Sequence, residues 1–152
     1  MKAKKIEIFL EEGRKHMYFL REEIKNMQQR VNSIDFSKID DVIMSDAFLF
    51  RFIKLQSLLT EKLFPYLYEF LTGKDRREAT FIDILNVMER YKIISDIGEW
   101  QKIREIRNIF VHDYPGDDEI KKEALKKTIT IVEEFFEVLE KIRVILEKND
   151  EK

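Results

Sequence analysis

The sequence predicts an all-α protein, built as an up-and-down bundle of four to five helices in one domain that spans residues 1–152. Apolar residues recur at spacings of three and four along most of the chain, which is the period of an amphipathic helix. Hydrophobic residues make up 44% and charged residues 38%, with only four glycines and two prolines. This composition is typical of long helices that pack around one core.

The first two helices are defined by long apolar rows. The first is expected from about Lys4 to Val31, and its row consists of Ile6, Leu10, Gly13, Met17, Leu20, Ile24, Met27 and Val31. The second begins near Asp41. Its apolar face is wide, since Phe48, Phe52, Leu55 and Leu59 lie beside a row with Ile43, Ala47 and Phe50. Pro65 is expected to kink or restart this helix, because proline lacks an N–H and clashes with the preceding turn.

Capping patterns mark the remaining helices. Thr80 and Asp83 resemble a capping pair for a short helix that ends near Tyr91, and Asp96 with Glu99 predicts the start of the next helix, Ile97 to about His112. The last helix follows the acidic residues 117–119 and continues to about Lys148. Its two apolar rows are broader than one partner helix would cover, so we expect it to be central in the bundle or shared with a dimer interface.

Composition also limits the kind of chemistry. The absence of cysteine excludes disulfides and thiolate sites and suits the cytoplasm, where we expect the protein. No apolar run approaches a membrane span, and Met1–Lys5 leads directly into the first helix without the pattern of a signal peptide. We expect no metal and no cofactor, since neither a spaced Glu/His ligand set nor a glycine-rich phosphate loop is present. The net charge of −2 means that any attraction for nucleic acid must be local.

The segment from Arg107 to Tyr114 is the part of the chain best suited to catalysis. It contains one of only two histidines, His112, with an arginine five positions earlier and a tyrosine two positions later. Histidine acts as base or acid near neutral pH, whereas arginine stays charged and offers a planar fork of donors to phosphate. RNA can be cleaved when its own 2′-hydroxyl attacks the adjacent phosphate, a reaction that needs a base, an acid and a cation beside the phosphate. His112 suits the proton transfer and Arg107 suits the stabilisation of charge on the phosphate. Asn108 would orient the histidine or the phosphate.

Helix geometry constrains this arrangement. On a regular helix Arg107 and His112 are separated by about 140° around the axis, whereas Arg104, Asn108 and His112 lie along one face. Either the helix ends near Phe110 or Val111, for which Pro115 and Gly116 give a reason, or the two side chains reach around a groove.

The Arg-x4-His-x-Tyr pattern, with Asn108 after the arginine, resembles the signature of the HEPN superfamily, and most closely that of HepT-type toxins paired with a minimal nucleotidyltransferase. The motif likeness covers about Trp100 to Pro115. It implies a HEPN-like helical bundle and a metal-independent endoribonuclease, the toxin of a type VII-like toxin–antitoxin pair, with RNA as substrate. It also implies that the nucleotidyltransferase antitoxin attaches AMP to Tyr114 and so silences the toxin. Otherwise Tyr114 simply packs over the Pro115 turn.

One histidine per chain is too few for both a base and an acid, so we expect a homodimer in which two motifs share a composite cleft. The resemblance implies the same assembly. His16 is expected at the margin of the first helix's apolar face rather than in the site. Two basic clusters, Gly73–Arg77 and the lysines 121, 122, 126 and 127, are expected to be solvated surface rather than RNA-binding patches.

Two other classes of function are compatible with the sequence. One is a non-catalytic subunit that binds substrate or nucleotide for a minimal nucleotidyltransferase. The other is a plain helical interaction domain in which the motif arose by chance.

Overall fold

The computed structural model describes residues 2–111 and 118–150, except for the side chains of Lys2, Arg104, Phe110, Val111 and Asp150. This part of the chain is almost entirely helical and has no strand, which confirms the predicted all-α bundle. The α-helices are α1 (Lys2–Gln28), α2 (Ile39–Leu58), α3 (Phe64–Thr72), α4 (Phe81–Arg90), α5 (Ile97–Val111) and α6 (Asp118–Asp150). None of these helices combines the length and hydropathy needed to cross a membrane.

Helix α1 buries the row that its sequence predicts. Ile6, Leu20 and Met27 are fully buried, and Gly13 takes its place in the same row. A Cβ atom at Gly13 would lie 3.0 Å from Leu139 Cδ2 of α6, so the glycine permits the close approach of these two helices. The helix ends at Gln28, earlier than the predicted end at Val31, and is followed by a 3₁₀ turn, Val31–Ser33.

Helices α2 and α3 are joined by a turn of π-helix at Leu59–Leu63. Pro65 stands in the first turn of α3, directly after this turn, where its missing N–H is tolerated. The predicted restart before Pro65 is therefore observed. Gly73 closes α3 with φ 74°, a left-handed conformation that suits glycine, and its N–H donates to the Glu69 carbonyl at 2.8 Å.

Only part of the wide apolar face of α2 is buried. Phe48, Phe52 and Leu55 point into the core, whereas Ile43 and Phe50 are each 60% exposed. Helices α1 and α6 contact α2, and the outer part of its apolar face stays exposed.

Caps start both middle helices. At α4 the Thr80 side chain accepts from Asp83 N–H at 3.1 Å and Asp83 accepts from Thr80 N–H at 3.0 Å, so the predicted capping box is present. At α5 Asp96 accepts from Gly98 N–H at 2.9 Å. The backbone N–H of Ile97 donates to the carboxylate of Glu89 in α4 at 3.2 Å, an interaction that the local sequence pattern does not predict.

Helix α6 is central in the bundle, as its two apolar rows indicate, and contacts α1, α2 and α5. Its Phe135 ring stacks on Phe52 of α2 at 5.3 Å and on Trp100 of α5 at 5.3 Å. Trp100 also contacts Phe64 of α3, with ring centroids 4.9 Å apart. These four aromatic rings, the aromatic stack, join four helices and hold α5 in place.

Candidate functional site

The buried face of α5 reaches solvent at Arg107. Trp100 and Ile103 are buried at 3% and 1% exposure, and Arg107 continues the same row at spacings of seven and four residues. Arg107 is nevertheless exposed, whereas its neighbour Ile106 is buried. Within residues 2–111 and 118–150 it forms no ion pair.

Asn108 is the second exposed polar residue in this turn. The two neighbours point in directions about 100° apart around the helix axis. Arg104 was expected on the same helix face as Asn108, and only its backbone is described. The structure thus places Arg107 and Asn108 together on accessible surface at the end of α5.

His112 and Tyr114 lie outside the described residues, as do Pro115 and Gly116. Helix α5 is described through Val111, the residue directly before His112. The predicted pairing of Arg107 with His112, and the role of Tyr114, therefore remain predictions. Phe110 has a described backbone only, whereas Trp100 is buried in the core.

His16 belongs to a different part of the bundle. It is half-buried between α1 and α2, with Nδ1 3.3 Å from Arg51 Nη1 and Nε2 3.9 Å from Glu12 Oε1. Burial and the neighbouring Arg51 charge lower its pKa. Arg51 also pairs with Glu23, whose pKa is raised by burial. Helix α5 packs mainly against α4 and α6, whereas His16 lies between α1 and α2. His16 and Arg107 therefore belong to different parts of the bundle.

The two basic clusters are largely ion-paired. Arg76 binds the buried carboxylate of Glu69 at 2.9 Å, and Arg77 binds Asp75 at 2.8 Å, which lowers the pKa of Asp75 to about 2. In the other cluster Lys122 pairs with Glu119 and Lys126 with Glu123, each one helical turn away. These pairs agree with a solvated surface.

A groove between α5 and α6 was not predicted from the sequence. It has a volume of about 700 Å³. Its apolar lining consists of Ile103, Ile106 and Ile109 from α5 and Ile120, Ala124 and Ile131 from α6. Its acidic lining consists of Glu99, Glu105, Glu119, Glu123 and Glu134, against the two lysines Lys102 and Lys127. We call it the α5–α6 groove.

Negative charges crowd one another in the α5–α6 groove. Burial raises the pKa of Glu134, and the carboxylates of Glu99 and Glu137 raise it further. The sequence signal for the groove is the isoleucine row of α5 beside the exposed Ile120 of α6. Its detection required knowledge that these two helices are neighbours.

Comparison of the chain with protein-family models, with curated proteins and with solved structures gives no match. The functional assignment therefore depends on the motif and on the surface that carries it.

Proposed function

We propose that the protein is a HEPN-like, metal-independent endoribonuclease that acts as the toxin of a type VII-like toxin–antitoxin pair. The observation that carries this proposal is the exposure of Arg107 and Asn108 in the last described turns of α5, immediately before His112. A motif residue sealed in the core would have no access to RNA. Arg107 instead continues the row of Trp100 and Ile103 into solvent.

The proposed reaction needs no group other than side chains and the RNA itself. The 2′-oxygen attacks the adjacent phosphorus while a base removes its proton, and the bond from phosphorus to the 5′-oxygen breaks as an acid protonates that oxygen. The products are a 2′,3′-cyclic phosphate and a free 5′-hydroxyl. His112 transfers protons, and Arg107 stabilises the charge that accumulates on the phosphate oxygens. Asn108 orients the phosphate, with Arg104 as a supporting cation.

We further propose that catalysis takes place in a homodimer, because a base and an acid are both needed and each motif contains one histidine. Mixed dimers test this assembly. One wild-type subunit paired with an Arg107→Ala, His112→Ala subunit should lose most activity, because each cleft then lacks half of its groups. Full activity per wild-type subunit would show that each chain works alone.

Tyr114 is the proposed point of regulation. Its phenol oxygen would attack the α-phosphorus of ATP on the partner nucleotidyltransferase, with pyrophosphate leaving, and the added AMP would bring negative charge to the RNA site. Intact-mass measurement after incubation with the transferase and ATP tests this step. The Tyr114→Phe variant should gain no AMP, whereas Tyr91→Phe should gain it like the wild type.

Incubation of the purified protein with RNA in EDTA is the decisive experiment. We expect cleavage that leaves a cyclic phosphate, and a loss of about 10²–10⁴-fold in the His112→Ala variant. His16→Ala is the matched control, since it removes the only other histidine and should stay active. Equal activity of the wild type and His112→Ala would refute the proposal. Binding of nucleotide without any cleavage would favour the non-catalytic subunit of a nucleotidyltransferase.

A further inference from the structure

We propose that the α5–α6 groove is a docking site for a cationic amphipathic helix of another protein. The proposal is independent of the ribonuclease assignment, because it depends on the shape and charge of the groove and not on His112.

The floor of the groove suits the apolar stripe of a helix. Ile106 and Ala124 are nearly buried, Ile109 and Ile131 are half-buried, and Ile120 is 52% exposed at the edge. Together they form a continuous apolar strip between two helices that are neighbours in the bundle. A helix that lies in such a groove buries side chains at spacings of three, four and seven residues, and the strip offers the matching surface.

The rim of the groove determines the charge of its occupant. Five carboxylates line the groove against two ammonium groups. Glu119 and Glu123 have lysine partners on α6, but Glu99, Glu105 and Glu134 have no ion-pair partner among the described side chains, which do not include that of Arg104. Lysine or arginine beside the apolar stripe of a bound helix would supply the missing positive charge and relieve the repulsion between Glu99 and Glu134.

The same charges disfavour the other occupants. A second copy of this chain would place its own five glutamates against these five, and an RNA backbone would bring further negative charge. The groove adjoins the motif on α5, since Arg107 follows Ile103 of the groove by one helical turn, whereas Asn108 lies about 160° around the helix axis from Ile106.

A labelled synthetic peptide tests the proposal by fluorescence anisotropy with the full chain. The peptide carries leucines at helical spacing flanked by lysines, and a second peptide has glutamate at every lysine position. We expect the lysine peptide to bind at least tenfold more tightly than the glutamate peptide, with an affinity that falls as salt is added. Absence of lysine-peptide binding up to about 100 μM would overturn the proposal.

Charge reversal locates the binding. The double variant Glu99→Lys, Glu134→Lys should weaken the lysine peptide at least tenfold. The matched control is Glu7→Lys, Glu11→Lys on exposed positions of α1, which changes the net charge equally and should bind within about twofold of the wild type. Equal loss in both double variants would mean nonspecific attraction and would overturn the proposal.

The floor is tested with Ile120→Ser, which changes an exposed position and leaves the core intact. We expect a several-fold loss of peptide affinity with an unchanged thermal melt. Sedimentation of the wild type and of Ile120→Asp tests the competing occupant. A dimer that Ile120→Asp dissociates would show that a second copy fills the groove, and the proposal would be wrong.

Discussion

Arg107 owes its proposed role to a change of environment within one helical row. The residues one and two turns before it in that row are buried, and Arg107 itself is in water. An exposed guanidinium retains both its charge and its planar fork of donors, and the fork is what distinguishes arginine from lysine at a phosphate.

The variant Arg107→Lys tests this difference. It keeps the charge but loses the bidentate geometry, so we expect cleavage to slow by about tenfold, and Arg107→Ala to slow it by about 10²–10³-fold. Single-turnover rates with saturating RNA measure the effect. The control is Arg90→Lys at an exposed position at the end of α4, which should leave the rate unchanged. Equal rates for Arg107→Lys and the wild type would exclude a bidentate contact.

Glu134 makes a prediction about pH. Its pKa in the folded protein is raised by burial and by neighbouring carboxylates, so the folded state favours the protonated form. The stability that this protonation provides is present below the unfolded pKa and is lost as pH rises through the folded pKa. We expect Glu134→Gln to have a higher Tm than the wild type at about pH 7 and an equal Tm at about pH 4.

Thermal melts across this pH range check the prediction, with Glu133→Gln at the exposed neighbouring position as control. A difference in Tm between Glu134→Gln and the wild type that is the same at both pH values would contradict it, since an effect of protonation must vanish where both proteins carry a neutral side chain.

At the scale of elements, helix ends depend on a few hydrogen bonds. The Thr80 hydroxyl satisfies one of the first N–H groups of α4, and Asp83 returns a bond to Thr80 N–H. Because α4 is only ten residues long, a lost cap affects a large share of the helix.

We expect Thr80→Ala to lower the free energy of unfolding by about 1 kcal/mol, measured by urea denaturation. Thr130→Ala is the matched control, because Thr130 lies within α6, is exposed, and bonds only to a carbonyl of its own helix at 3.3 Å. Alanine is the better helix former there, so this control should be neutral or slightly stabilising. Equal destabilisation by both substitutions would argue against the cap.

Helix caps could be predicted because their partners are close in sequence. At the start of α5, one hydrogen bond is local and another depends on tertiary packing. The helix starts at Ile97, as Asp96 with Glu99 predicts, and the bond that Asp96 accepts comes from Gly98 N–H, two residues away. The Ile97 N–H is bound by Glu89, which becomes a neighbour only after α4 and α5 have packed together.

For the whole molecule, the aromatic stack couples the core to the position of α5. Phe135 contacts Phe52 and Trp100, so removal of its ring leaves a cavity shared by three helices. We expect Phe135→Ala to lower the free energy of unfolding by about 3–5 kcal/mol, and Phe135→Leu to lose less and to keep the fold.

Phe136→Ala is the control for this prediction. Phe136 is half-buried next to Phe135, and its ring is covered by the exposed Arg21 guanidinium at 3.6 Å. We expect a clearly smaller loss from this substitution, since solvent can fill the space that the ring leaves. Urea denaturation followed by circular dichroism and by Trp100 fluorescence should give coincident transitions in both variants. Equal losses of unfolding free energy in the two variants would show that the aromatic stack does not stabilise the fold more than a half-buried ring does.

The sequence by itself determined the helices, most of their ends, and the buried rows of α1 and α6, because these depend on periodicity and on partners within a few residues. It also identified the Arg107–Tyr114 motif. Tertiary structure alone decided which part of the wide face of α2 stays in water, that Arg107 emerges into solvent, and that α5 and α6 enclose an acidic groove. Each of these depends on which helices become neighbours and on how much of each helix its neighbours cover. A pattern along one chain contains neither kind of information.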